Sequence, residues 1–121
     1  MTENPNLVIE IGGHTASHPV LTQLSEENSW RQISSSFQRI TEELGPGRRT
    51  FCYPNGQPGD YNATVIQQVK NAGYYNAAAA FFDGYNIQKR YLWRRVNGAK
   101  SGIDYILALN GAEYLGAQLK R

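Results

Sequence analysis

The sequence is short of cysteine, of charge of one sign and of long apolar runs, and each shortage excludes a class of protein. The single cysteine, Cys52, excludes an intrachain disulfide and an all-cysteine metal site. Twelve basic against ten acidic residues give a net charge of +2 without a basic cluster, which argues against nucleic acid as the main partner. No stretch holds the roughly twenty apolar residues that cross a bilayer. The polar first six residues also lack the order of an export signal.

The length and composition suit one domain, placed here at residues 1–121. Hydrophobic residues make up 40% of the chain, which is enough to bury a core. Four short β-prone runs predict strands, although the alanines of the third could also form a helix. These runs are residues 7–11, 49–53, 75–82 and 91–96.

Helical patterns separate these strands. Ser29, with Gln32 three residues later, predicts a capped helix that ends at Gly45. A second helix is expected from Asn62 to Gly73, and a last one from Ser101. The first helix carries one apolar stripe, made of Trp30, Ile33, Phe37, Ile40 and Leu44. Alternating strands and helices predict an α/β fold with parallel strands.

The only two histidines of the chain, His14 and His18, lie in a loop directly after the first predicted strand. A spacing of four residues can place both imidazoles on one side of a helical turn, where they could bind one divalent ion. Two histidines do not complete a zinc site, because a catalytic zinc takes three protein ligands. The alternative is that two histidines lie together in a loop without a shared ligand.

Four segments, in order, resemble motifs of the NodB-type polysaccharide deacetylases, which form carbohydrate esterase family 4. Residues 10–19 (EIGGHTASHP) are similar to the second motif of that family, and residues 51–56 (FCYPNG) to a variant of its third. Residues 71–78 resemble the segment that follows, and residues 92–96 resemble a later arginine motif. Together these segments cover nearly the whole chain and correspond to the later part of the family domain.

The resemblance implies a fold and a metal site. The family fold is a distorted (β/α) barrel, so this chain is expected to form a partial barrel of about four parallel strands with flanking helices. His14 and His18 would bind a divalent metal, usually zinc, as the family's second motif does.

The resemblance also assigns roles in the reaction. The backbone N–H of Asn55 would help to hold the oxyanion, and Tyr53 and Pro54 would wall the substrate groove. Arg95 would orient the catalytic carboxylate by a charge-assisted hydrogen bond. The alternatives are an ordinary turn at Asn55 and a solvated arginine at position 95.

The sequence departs from the family where its carboxylates are expected. The family's first motif, T-F-D-D, supplies the general base and the third metal ligand, and nothing before Leu7 is similar to it. Asp60, Asp83 and Asp104 do not lie in matching motifs, and no third histidine stands for the family's general acid. The identity of the third ligand and the activity of the chain alone therefore stay open.

The leading interpretation is a metal-dependent hydrolase that removes acetyl groups from an N-acetylglucosamine-type polysaccharide, and that is incomplete as this chain alone. A second is an inactive remnant of the fold that binds carbohydrate, and a third is a structural or interaction protein. An open barrel exposes strand edges, so the expected partner besides the polysaccharide is a second copy of the chain or a complementing N-terminal fragment. Members of the family usually act outside the cytoplasm or at the cell surface.

Overall fold

The computed structural model describes residues 9–80 and 89–95, which form a small parallel sheet packed against two helices. The predicted last helix, from Ser101, lies outside the described residues. The elements are a 3₁₀ turn at Leu21–Gln23, helices α1 (Glu26–Leu44) and α2 (Ala63–Ala72), and strands β1 (Thr50–Cys52), β2 (Asn76–Ala79) and β3 (Trp93–Arg94). None of the helices in the described ranges has the length and apolar character needed to cross a membrane.

The three strands are parallel and lie in the order β1-β2-β3. The first predicted strand is not a regular strand where it is described, but the chain joins the sheet at Gly13, which forms a parallel bridge with Phe51 of β1. Phe51 also pairs with Ala77 of β2, so Gly13 extends the sheet on the other side of β1. The α/β class with parallel strands is confirmed. The described part is an open sheet, and it does not confirm a barrel.

The start of α1 differs from the prediction. Ser25, and not Ser29, is the N-cap, and its Oγ accepts a hydrogen bond of 3.2 Å from the N–H of Asn28. Glu26 and Glu27 in the first turn complement the helix dipole and favour this earlier start. Ser29 therefore lies inside the helix, where it is buried. The predicted end at Gly45 is confirmed, with a φ of 84°.

The apolar stripe of α1 is only partly inward-facing. Ile33 is fully buried and Phe37 packs against the core, whereas Trp30 and Leu44 are 38% and 47% exposed. The buried face of the helix follows Ser29, Ile33 and Ser36 at spacings of four and three. Trp30 lies at the margin of that face and Leu44 in the last turn.

The second helix and the alanine strand follow the sequence closely. Asn62 caps α2 by accepting a hydrogen bond of 2.9 Å from the N–H of Val65, and Gly73 ends the helix in the left-handed conformation. The alanines form β2, so the helical alternative is wrong. Every residue of Asn76–Ala79 is buried, which is typical of a strand covered on both faces and explains why small side chains are used there.

Candidate metal centre

Two glycines bring the chain flat against β1 just before the histidines. Gly13 donates a hydrogen bond of 2.9 Å to the carbonyl of Thr50, and its own carbonyl accepts one of 2.8 Å from Cys52. A Cβ atom at Gly12 would overlap that Thr50 carbonyl, and one at Gly13 would overlap the ring of Tyr74. The absence of side chains thus allows the close approach, and the next residue emerges at the carboxyl end of β1.

That next residue is His14, and one backbone contact defines its chemistry. Its Nδ1 lies 2.7 Å from the carbonyl oxygen of Cys52. A carbonyl can only accept a hydrogen bond, so Nδ1 carries a proton, and in the neutral imidazole the lone pair then lies on Nε2. Metal-binding histidines are commonly oriented by such a bond from the other ring nitrogen.

His18 lies close to His14, as the metal interpretation requires. The ring centroids are 4.7 Å apart and the rings are inclined by 66°. His18 is exposed to solvent, and His14 is half-buried. The structure therefore brings the two predicted side chains together at the carboxyl edge of the sheet.

The loop between the histidines is tightly folded and strained. Thr15 and His18 both have positive φ, at 71° and 62°, a region that L-residues seldom occupy. The Oγ1 of Thr15 accepts a hydrogen bond of 2.9 Å from the N–H of His18 and closes the turn. A second support comes from Gln32 of α1, which binds the backbone of Ala16 and Ser17. The sequence pattern assigned Gln32 to a helix cap, so this contact was missed.

The turn after β1 exposes a backbone donor at the same edge of the sheet. Asn55 has a φ of 60° and sits at the centre of a tight turn, closed by a 2.7 Å hydrogen bond from the N–H of Gly56 to the carbonyl of Pro54. Asn55 is exposed, and no acceptor within residues 9–80 and 89–95 takes a hydrogen bond from its N–H. That free N–H is compatible with the predicted oxyanion contact.

Tyr53 and Pro54 do not fit the predicted role of groove walls. Tyr53 has no exposed surface and Pro54 has almost none. The Tyr53 hydroxyl donates a hydrogen bond of 2.9 Å to the carbonyl of Tyr91, and its ring packs against Phe51 and Tyr61. Both side chains therefore support the Asn55 turn from within the core.

Arg95 lies beside the same turn and braces it. One guanidinium nitrogen donates hydrogen bonds to the carbonyls of Tyr53 and Asn55, at 2.9 and 3.4 Å. Its Nε is buried and has no hydrogen-bond partner among the described residues. An unused charged donor at this position is a suitable partner for a carboxylate. The sequence predicted a role for Arg95 but not its contacts with the turn.

The electrostatics around β1 are dominated by burial. Burial raises the pKa of the Cys52 thiol, and the nearby positive charge of Arg95 offsets part of that increase. A protonated thiol is a poor metal ligand. Within residues 9–80 and 89–95, no group of three or more histidine, cysteine, aspartate or glutamate side chains could hold a metal. The two imidazoles, one with its tautomer fixed, fit part of a zinc site that needs a further donor.

Comparisons with known proteins identify a family and a similar fold. A family model described as polysaccharide deacetylase matches residues 5–77. In a search of solved structures, the fold is similar to that of the Streptococcus pyogenes deacetylase PplD in complex with acetate, at 20% identity and a TM-score of 0.58. The match covers 69% of this chain and 36% of that protein, so this chain spans about a third of its length. A search of curated proteins found no match. On the family match over residues 5–77, the chain belongs to the polysaccharide deacetylase family.

Proposed function

We propose that this chain supplies the histidine ligands and the oxyanion donor of a metal-dependent deacetylase acting on an N-acetylglucosamine-type polysaccharide. The observation that carries the proposal is the paired geometry of His14 and His18. Their rings lie 4.7 Å apart, and the Nδ1 of His14 is engaged by the Cys52 carbonyl, so its Nε2 is available as a ligand.

The chemistry of the proposed site depends on a divalent metal. We take this metal to be zinc, which imidazole ligands commonly bind. When bound, such a metal polarises the acetyl carbonyl and makes water a stronger nucleophile at neutral pH. His14 and His18 would hold the ion. The third ligand and the general base would be carboxylates, which the matched motifs of this chain do not contain. A complementing N-terminal fragment would supply them.

Two further groups of this chain would act, one on the substrate and one on the catalytic carboxylate. The N–H of Asn55 would donate a hydrogen bond to the oxygen that gains negative charge when the acetyl carbonyl is attacked. The guanidinium of Arg95, whose Nε lacks a partner in the described ranges, would donate to the catalytic carboxylate and orient it. In both cases the chain provides donors fixed in advance by the turn after β1.

The experiment measures zinc affinity by calorimetry and acetate release from acetylated chito-oligomers. We expect the full chain to bind zinc and both His14→Gln and His18→Gln to lose most of that affinity. Acetate release is expected only when an N-terminal fragment with a T-F-D-D segment is added. Equal zinc affinity in the parent chain and in both variants would contradict the proposal.

A carbohydrate-binding protein without catalysis is the second candidate. It is favoured by the absence of a three-ligand group and of a carboxylate partner for Arg95 within the described part of the chain. It predicts saccharide binding without acetate release, even with zinc and the added fragment. We also propose that the partner is either that fragment or a second copy of the chain, which light scattering distinguishes by mass.

A further inference from the structure

We propose that Gln32 is a positioning residue that holds the loop between His14 and His18 so that the two imidazoles converge. The inference rests on the proposed metal-binding function of that pair. It adds a residue of α1 to a site otherwise built from the loop and the end of β1.

The carboxamide of Gln32 is fully directed at the loop. Its Oε1 accepts hydrogen bonds from the N–H groups of both Ala16 and Ser17, each at 3.0 Å. Its Nε2 donates a third hydrogen bond, of 3.0 Å, to the Oγ of Ser17. One side chain therefore binds the two residues midway between the histidines.

The loop needs such a support because its backbone is strained on both sides of this contact. Thr15 and His18 occupy the left-handed region, which persists in L-residues only when the surroundings fix it. If the N–H groups of Ala16 and Ser17 were released to water, the loop could relax to ordinary backbone angles. The ring of His18 would then turn away from that of His14.

Two fixed points thus define the pair. His14 is oriented by the Cys52 carbonyl in the sheet, and the path to His18 is fixed by Gln32 in the helix. The neighbouring inward residues of α1, Ser29 and Ser36, bind elsewhere, to Gln68 and Tyr74. Gln32 is therefore the residue of this face that connects the helix to the histidine loop.

The test compares the parent chain with Gln32→Leu, Gln32→Glu and Gln38→Leu. Gln38 lies on the same helix, is exposed, and its hydrogen bond within the described part of the chain is to Glu42, so it is the matched control. In metal-free protein, NMR would measure hydrogen exchange of the Ala16 and Ser17 amides. It would also measure the nuclear Overhauser cross-peak between the two imidazole rings. Calorimetry would give the zinc affinity of each protein.

We expect Gln32→Leu to lose amide protection and the ring cross-peak, and to bind zinc about 10- to 100-fold more weakly, as for other residues that orient metal ligands. Gln32→Glu keeps the accepting oxygen and should retain the protection, the cross-peak and the affinity. Gln38→Leu should resemble the parent. If Gln32→Leu lowers the unfolding temperature more than Gln38→Leu does, a general loss of stability could cause its effects. Gln32→Glu then decides whether Gln32 positions the loop, because it keeps the accepting oxygen.

Unchanged amide exchange, cross-peak and zinc affinity in Gln32→Leu would overturn the inference, and so would loss of all three in Gln32→Glu. A parent chain without zinc affinity would overturn the proposed function instead. The metal-free NMR comparison would in that case still establish or reject the positioning role, because it does not depend on zinc.

Discussion

The histidine loop, β1 and the ring of Tyr74 meet at Gly13. It bonds to Thr50 and Cys52 through its backbone, and the Tyr74 ring occupies the space where a Cβ would lie. A methyl group could be accommodated only by moving the tyrosine or by lifting the loop off β1. The position therefore couples core packing to the direction in which His14 leaves the sheet.

We predict that Gly13→Ala lowers the free energy of unfolding by about 1–3 kcal/mol, the usual cost of overpacking. Zinc affinity should fall as well, because the loop that carries the ligands is displaced. Urea denaturation and calorimetry measure the two effects. Gly47→Ala is the control, since a Cβ there would lie 3.8 Å from the Arg49 guanidinium, an ordinary contact distance. An equal loss in both variants would contradict the prediction.

At the scale of single residues, the sequence predicted which side chains would lie together, but not the residues that hold them in place. His14, His18 and the Asn62 cap follow from residue type and spacing, and the structure shows the first two together. Gln32 was missed because its hydrogen-bond partners, Ala16 and Ser17, are distant in sequence. Ser25 was missed because Ser29, with Gln32 three residues later, has a competing cap pattern in the same stretch of sequence. The side chain of Tyr53 was misplaced because a tyrosine beside a site motif can point either to substrate or to the core.

At the scale of elements, α1 carries a polar seam formed by the buried Ser29 and Ser36 and by the partly exposed Gln32. Ser29 bonds to Gln68 of α2, Gln32 to the histidine loop and Ser36 to Tyr74. Apolar periodicity cannot reveal such a seam, since the pattern marks only where hydrophobic side chains recur. The seam explains why the buried face and the apolar stripe of the helix do not coincide.

Ser36→Ala is expected to lower the free energy of unfolding by about 1–3 kcal/mol, because it leaves the buried Tyr74 hydroxyl without its partner. The two oxygens are 2.6 Å apart in the parent. The loss should raise the pKa of Tyr74 further, since burial raises that pKa and the Ser36 hydrogen bond lowers it. Urea denaturation and ultraviolet titration of tyrosine measure these effects.

Ser35→Ala tests whether the effect belongs to the buried contact, because Ser35 is exposed on the same helix. A double-mutant cycle with Tyr74→Phe isolates the pair. Additive effects of Ser36→Ala and Tyr74→Phe would show that the contact contributes nothing.

At the scale of the whole molecule, stability should depend on alkaline pH. Burial is the main cause of a raised pKa at Cys52, Tyr53 and Tyr74. Each of these groups holds its proton to a higher pH in the folded chain than in the unfolded chain. The stabilisation is therefore complete below the unfolded values, 9.0 for the thiol and 10.0 for the phenols, and is lost as pH rises above them.

We predict that the free energy of unfolding changes little from neutral pH to about pH 9 on account of these groups, and falls beyond it. Urea denaturation at a series of pH values measures the decline. Tyr53→Phe should flatten the part of the decline above the phenol pKa, whereas Tyr75→Phe, at an exposed position, should not. An equally steep decline in Tyr53→Phe would exclude Tyr53 as a source.

The overall class of the fold was predictable, and its closure was not. Apolar runs and helix signals gave the parallel α/β order, the end of α1 at Gly45 and the whole of α2. The barrel depends on how more distant segments complete the sheet, which local patterns do not encode. β3 illustrates this, because within residues 91–95, the described part of the predicted run, the strand that pairs with β2 is Trp93–Arg94.

The backbone N–H and carbonyl of Cys52 contact the two consecutive residues Gly13 and His14. Its N–H holds the carbonyl of Gly13, and its carbonyl holds the imidazole of His14. A slip of this pairing by one position would present another carbonyl to the ring, or none, and would spoil the coordination geometry while the protein was still folded. Strand register would thus be part of the proposed metal site, and a variant could lose its affinity for metal without losing its compactness.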